Sequence, residues 1–302
     1  MLDDHFHQSE LLIATPIGIY SWNSNNLLLR AGSDTEAGYN NGLSLTARFR
    51  EIVSLAQLNR THILVLDLRN HCLRSWDGNT VSQFAGKCGH KGYADSIELE
   101  QALFSHPSDM VVMDQFVYIV DSGNSVIRLL DTDAGVVVML MRINERELHA
   151  VRGITLYPEH RFLYLAGSTG VMKTQDPATS TTHHQTLIPV TNTSLSQGNT
   201  DGMFSESQFN GASKMEWLDT NHMVVIDEGN KKIRLLNFSS GEVKQFCSEC
   251  NLESPRSMLH LRDSLYIGED DGVTIVPIPL GNARGISSSS FLTSEVGKRY
   301  QI

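Results

Sequence analysis

The sequence predicts an all-β chain, a six-bladed β-propeller of four-stranded antiparallel blades. Three observations carry the prediction. A strand–turn–strand block recurs six times, with cores at about 10–22, 62–77, 116–131, 162–174, 222–237 and 264–276. The first turn positions of successive blocks lie 52, 54, 46, 60 and 42 residues apart, the length of one blade with its loops. The strand before each turn (LLIA, ILVL, VYIV, LYLA, MVVI, LYIG) is a near-continuous apolar run, as expected of a strand covered on both faces by neighbouring blades.

The clearest copies are HILVLDLRNHCLRSWD, FVYIVDSGNSVIRLLD and HMVVIDEGNKKIRLLN, each with Asp, two residues, Asn, and an Arg four residues on. Aligned without gaps, the first turn position holds Thr15, Asp67, Asp121, Gly167, Asp227 and Glu269. The fourth holds Gly18, Asn70, Asn124, Gly170, Asn230 and Gly272. Only Gly or Asn in that column implies a left-handed backbone kink there, which these residues tolerate best. Asp in the first column is expected to accept amide hydrogens of its own turn.

A second element lies between the blocks: RAGSDTEAGYNNGLSLTARF, FAGKCGHKGYADSIELEQALF and SQGNTDGMFSESQF. It reads as the blade-to-blade connection, with Phe49, Phe104 and Phe209 plugging between blades. Pro107-Ser-Asp-Met110, Pro255-Arg-Ser-Met258 and, more loosely, Val151-Arg-Gly-Ile154 mark the strands that follow. Leu187-Ile-Pro in the long polar stretch 174–200 reads as the outer strand of the fourth blade. In the tail 281–302, FLTSEV reads as a strand that completes the last blade or closes the ring, unless the tail is flexible. The whole chain, 1–302, reads as one domain.

The combined pattern, AG…GxxDG…AxFxxPxxM…YIVDxxNxxIR, resembles NHL repeats, best over 85–131 and across roughly residues 10–280. Blocks one, four and six depart from it, with small residues replacing Asp and Asn. The resemblance implies a six-bladed propeller that docks proteins. Some NHL domains read single-stranded RNA through a basic face. Some six-bladed relatives, the peptidyl-hydroxyglycine amidating lyases and gluconolactonase-like hydrolases, are metal enzymes with ligands from several blades around the central channel.

Composition narrows the function. A net charge of −10 over 302 residues disfavours a broad nucleic-acid face but leaves room for a local basic patch. No apolar run is long enough to span a bilayer. The N-terminus, MLDDHFHQSE, lacks the pattern of a secretory leader, although the first blade reads as truncated. Cys72, Cys88, Cys247 and Cys250 are candidates for disulfides of unassigned pairing if the chain is extracellular. A lone CxxC without a second one does not make a zinc site. An extracellular or secretory location is slightly favoured over the cytoplasm; the sequons at Asn59, Asn192 and Asn237 occur about as often as composition alone gives.

No hydrolase, metalloprotease or phosphate-loop motif is present. His90, His106, His149 and the pair His183–His184 have no partners at metal-ligand spacing, so no metal and no cofactor is expected. Asp67, Asp121 and Asp227 read as structural turn residues rather than a calcium-binding ring. Arg74, Arg128 and Arg234 read either as bonds to a neighbouring blade's carboxylate or carbonyl, or as a ladder for a ligand. Tyr39 and Tyr93 follow Gly in equivalent loops and are the contact candidates among the aromatics; Trp22 and Trp76 read as packing residues. With His90, Asp95, Arg74, Arg128 and Arg234 they make the candidate binding face. The leading reading is a non-catalytic, monomeric module, alone or in a larger chain, that binds a protein or peptide through one loop face. A metal-dependent lyase or lactonase is the alternative, and an RNA-binding domain the second.

Overall fold

The apolar runs become strands because adjacent sheets can bury both of their faces. A computed structural model describes residues 11–23, 26–144, 150–157, 162–174, 187–193, 196–278 and 298–301. Among them there is no α-helix, and six small antiparallel sheets form the blades of a six-bladed β-propeller.

The blades fall into two compact units of three. In the first unit, blade 1 comprises β1 (Leu11–Ala14), β2 (Gly18–Asn23) and β3 (Asn26–Gly32). Blade 2 comprises β4 (Gly42–Leu43), β5 (Ile52–Gln57), β6 (Ile63–Asp67), β7 (Cys72–Trp76) and β8 (Thr80–Ala85), in the order β5-β6-β7-β8-β4. Blade 3 comprises β9 (Pro107–Met113), β10 (Phe116–Asp121), β11 (Val126–Asp131) and β12 (Val136–Arg142).

In the second unit, blade 4 comprises β13 (Gly153–Leu156), β14 (Leu163–Gly167), β15 (Gly170–Thr174) and β16 (Leu187–Pro189). Blade 5 comprises β17 (Gly202–Met203), β18 (Ala212–Trp217), β19 (His222–Asp227), β20 (Lys232–Asn237) and β21 (Glu242–Gln245), with β17 outside β21. Blade 6 comprises β22 (Ser257–Leu261), β23 (Ser264–Glu269), β24 (Gly272–Pro277) and β25 (Lys298–Gln301).

Four strands per blade therefore holds for blades 3, 4 and 6. Blades 2 and 5 each gain a two-residue outer strand from the connection that enters them, and blade 1 shows three strands among the described residues. A tail strand at 298–301 joins blade 6 through β24; FLTSEV lies outside the described residues.

The second strands β6, β14 and β19 are buried along their whole length. The connecting phenylalanines are fully buried between sheets, as expected. Phe49 packs with Ile19 and Ala31 of blade 1 and Ile63 and Val65 of blade 2. Phe104 packs between Leu64 and Leu73 of blade 2 and Val117 and Leu130 of blade 3. Phe209 packs with Tyr164 of blade 4 and Val225 of blade 5. Each removes a large ring from water, worth about 1.5–3 kcal/mol.

The left-handed kink is not where the sequence placed it. In blades 2, 3 and 5 the turn is a single 3-10 turn, Leu68–Asn70, Ser122–Asn124 and Glu228–Asn230. The positive φ falls on the following residue: His71 (57°), Ser125 (53°) and Lys231 (53°). In blades 4 and 6 the hairpin closes with two residues, pairing Gly167 with Gly170 and Glu269 with Gly272. Blade 1 turns as tightly, its Thr15 hydroxyl accepting the Gly18 amide at 3.1 Å. Gly18, Gly170 and Gly272 thus begin strands and have no positive φ. The ungapped alignment joined two turn types of different length.

Candidate functional site

The Asn column serves through its side chain. Asn70 Nδ2 donates to Asp67 Oδ2 (2.7 Å) and to the Gly38 carbonyl (2.9 Å). Asn124 does the same with Asp121 and Gly92, and Asn230 with Asp227 and Gly198, all at 2.8 Å. Only Asn is short enough for the turn and carries two donors on one nitrogen. The Asp residues do not cap their own turns. Asp67 Oδ1 accepts the amides of Arg50 and Glu51, Asp121 Oδ1 that of Ser105, and Asp227 Oδ1 that of Asn210. Each carboxylate therefore pins the chain entering its own blade. In blade 6 Glu269 replaces it, accepting the amides of Glu253 (2.6 Å) and Ser254 (3.2 Å) with a longer arm.

Arg74, Arg128 and Arg234 complete this clamp. All three are fully buried, which removes them from any solvent-facing binding surface and corrects their place among the contact candidates. Arg128 donates to the carbonyls of Leu103 (3.0 Å) and Ala94 (2.8 Å), and to Asp121 (3.3 Å) and Asp95 (2.8 Å). Arg74 reaches the carbonyls of Arg48 and Asn40 and the Asn41 side chain, and Asp67 at 3.6 Å. Arg234 reaches the carbonyls of Gln208 and Thr200, with Asp227 at 2.9 Å and Asp201 at 2.6 Å. Phe49, Phe104 and Phe209 lie against the guanidinium groups, 5.0, 5.2 and 4.9 Å from ring centre to Cζ. Each Nε is buried without a hydrogen-bond acceptor, a cost that the adjacent ring partly offsets. Strand register shows why blades 1, 4 and 6 lack the clamp: Tyr20, Met172 and Thr274 occupy the place of the arginine.

The clamp fixes loops whose outer surfaces stay in water. Tyr39 and Tyr93 are partly exposed, as expected, but their rings also cover Arg74 and Arg128, and their hydroxyls donate to Gln83 and Met139 Sδ. Asp95 is half-exposed and bound to Arg128. His90 is exposed, its Nδ1 3.1 Å from the Cys88 carbonyl. Trp76 is buried, as expected, with its indole donating to Ser44. Trp217 lies in a cluster with Tyr157, Tyr164 and Phe238 rather than on a loop face. His149, His183 and His184 lie outside the described residues. Among the described residues no three His, Cys, Asp or Glu side chains gather as a metal site.

Two features were missed. Leu43, Ile97 and Met203 occupy one repeat position, each 24 residues before its blade's Asp, and are exposed by 65, 85 and 46%. Counting back from the Asp would have found them. The second is an imidazole pair, His71 and His106, with ring centres 4.6 Å apart and the His106 amide donating to His71 Nδ1. It comes from two different blades, so no spacing in the sequence announces it. The cysteines pair as Cys72–Cys88, which joins the start of β7 to the loop leaving blade 2, and Cys247–Cys250.

No protein-family model matches the chain, and no curated protein matches it in sequence. Solved structures do match in shape. A chain of a nidogen/laminin complex is similar over 89% of both chains, with a TM-score of 0.58 at 14% identity. The streptogramin B lyase structure is similar over 81% of this chain and 74% of that one, with a TM-score of 0.52 at 11% identity. Identities this low speak for the propeller fold alone.

Proposed function

We propose that the chain is a non-catalytic docking module, built from NHL-type repeats, that binds a protein or peptide through its blade-connecting loops. The observation that carries this reading is the pairing of rigidity with exposure. Loops 33–51, 86–106 and 196–211 are tied down by buried Asp–Asn–Arg clamps, yet they present Leu43, Ile97 and Met203 to solvent. Apolar side chains held out by a pre-ordered backbone lose little entropy when a partner covers them. The clamp also gives the NHL-like Asp-x-x-Asn-x-x-x-Arg spacing a physical purpose. The structure most similar in shape among those above comes from a protein–protein complex, which fits a docking role. Two disulfides fit an oxidising compartment.

The test is site-resolved capture. A photo-crosslinker placed at Leu43 or Ile97 should trap a discrete protein from extracellular fluid, and Leu43→Asp with Ile97→Asp should abolish the adduct while the melting temperature holds. Turnover of a small molecule by the pure protein with a stoichiometric bound ion, or adducts indifferent to both substitutions, would refute the reading.

A further inference from the structure

The stretches 68–76, 78–94 and 101–108 of this acidic chain contain no Asp or Glu. The fold of the first unit brings parts of all three together. The Cys72–Cys88 disulfide ties the first to the second, with Cα atoms 5.0 Å apart. The Gly89 amide donates to the Asn70 carbonyl at 2.8 Å, and the Lys87 amide to Ala102 at 2.8 Å. The His71–His106 contact ties the first to the third.

The result is an island of positive charge. Arg50 precedes β5, Lys87, His90 and Lys91 lie in the disulfide-held loop, and His71 and His106 sit at its base. Among the described residues no ion pair uses Arg50, Lys87 or Lys91. Arg69 is paired with Glu51 and adds little. Burial, and after it the neighbouring His106 and Lys91, hold His71 below the ordinary imidazole value.

The backbone gives a second, independent sign. His106 has φ 49° and precedes Pro107. By strand register its counterpart in blade 5 is Gly211, with φ 88°. Glycine occupies such a conformation freely, and a side chain there costs stability. Blade 3 bears that cost and holds an imidazole over the island.

The geometry points to this island as the seat of an acidic peptide segment on the partner protein, held by the charges of Arg50, Lys87 and Lys91, with the His71 and His106 imidazoles as hydrogen-bonding groups beside them. It rests on the docking reading above and names the chemistry of the partner. The cations arise from separate segments, which suits several carboxylates in a row better than one small anion. The island holds no Phe or Trp, its imidazoles His71 and His106 are packed edge-on against each other, and the rings of Tyr39 and Tyr93 cover Arg74 and Arg128, which disfavours a stacking platform for single-stranded nucleic acid.

The probe is a fluorescein-labelled peptide of about eight glutamates, followed by anisotropy on the full chain at about 50 mM and about 300 mM salt. Saturable binding is expected at the lower salt. Lys87→Glu with Lys91→Glu should weaken it at least tenfold. His106→Gly should weaken it at least threefold while the melting temperature stays level or rises, a pairing that a purely structural His106 would not give. Absence of binding, indifference to either variant, or stronger binding of inorganic phosphate or single-stranded RNA would overturn the assignment. If the peptide fails while the crosslinked partner persists, the acidic chemistry falls and the docking role stands; if both fail, both fall.

Discussion

Arg234 meets two carboxylates, and the nearer one should matter less. Asp201 lies 2.6 Å from its NH2 group and is half-exposed; Asp227 lies 2.9 Å from NH1 and is fully buried. Replacing Asp227 by Ala takes the fully buried carboxylate from a buried guanidinium and leaves it the half-exposed Asp201. It also removes the acceptor of the Asn210 amide (2.7 Å) and of Asn230 Nδ2 (2.8 Å). Breaking a buried ion pair by removing one partner costs about 3–5 kcal/mol, an upper bound here because Asp201 remains. Asp201→Ala leaves NH2 on the Thr200 carbonyl at 2.7 Å, and water replaces the lost oxygen. An exposed pair of this kind is worth about 0–1 kcal/mol. Urea unfolding of both variants against the parent measures the difference through the midpoint, with the slope unchanged. Equal losses, or a larger loss for Asp201→Ala, would refute the claim that burial and not distance sets the strength of the clamp.

Other expectations follow from the same structure. Phe104→Ala opens a cavity between blades 2 and 3 and should cost about 3–5 kcal/mol in chemical denaturation. A Cβ on Gly153 would meet the Ser213 carbonyl oxygen at 1.6 Å, so Gly153→Ala should depress the melting temperature, and a level value would contradict that packing. Cys72→Ala with Cys88→Ala frees a loop of 16 residues and should cost about 3 kcal/mol on a chain-entropy estimate, read by thermal unfolding under oxidising conditions. His71 is depressed below 6.5 by burial and by cationic neighbours, so the unfolded chain takes the proton first. Stability should therefore fall as pH drops from 6.5 through the folded value, and His71→Gln should flatten that slope.

Much of this protein was legible in one dimension. Six apolar runs, their spacing and three connecting phenylalanines identify a propeller because blade repetition is a local, periodic property. The same applies to the Asp–Asn–Arg triplets, whose recurrence marks them as structural before any contact is known. Their roles were not legible. Whether Asn70 bends the backbone or bridges Asp67 to Gly38 depends on the chain arriving from 32 residues away. Whether Arg128 faces a ligand or a buried carbonyl depends on which side of its strand the connecting loop covers. The two turn lengths were hidden because both pair a small or polar first residue with Gly or Asn three positions later. The basic island lay furthest from reach. Net charge is a sum over the chain, whereas a patch is a matter of adjacency, and only the disulfide and the packing of blade 2 on blade 3 bring Lys87, His71 and His106 to one surface.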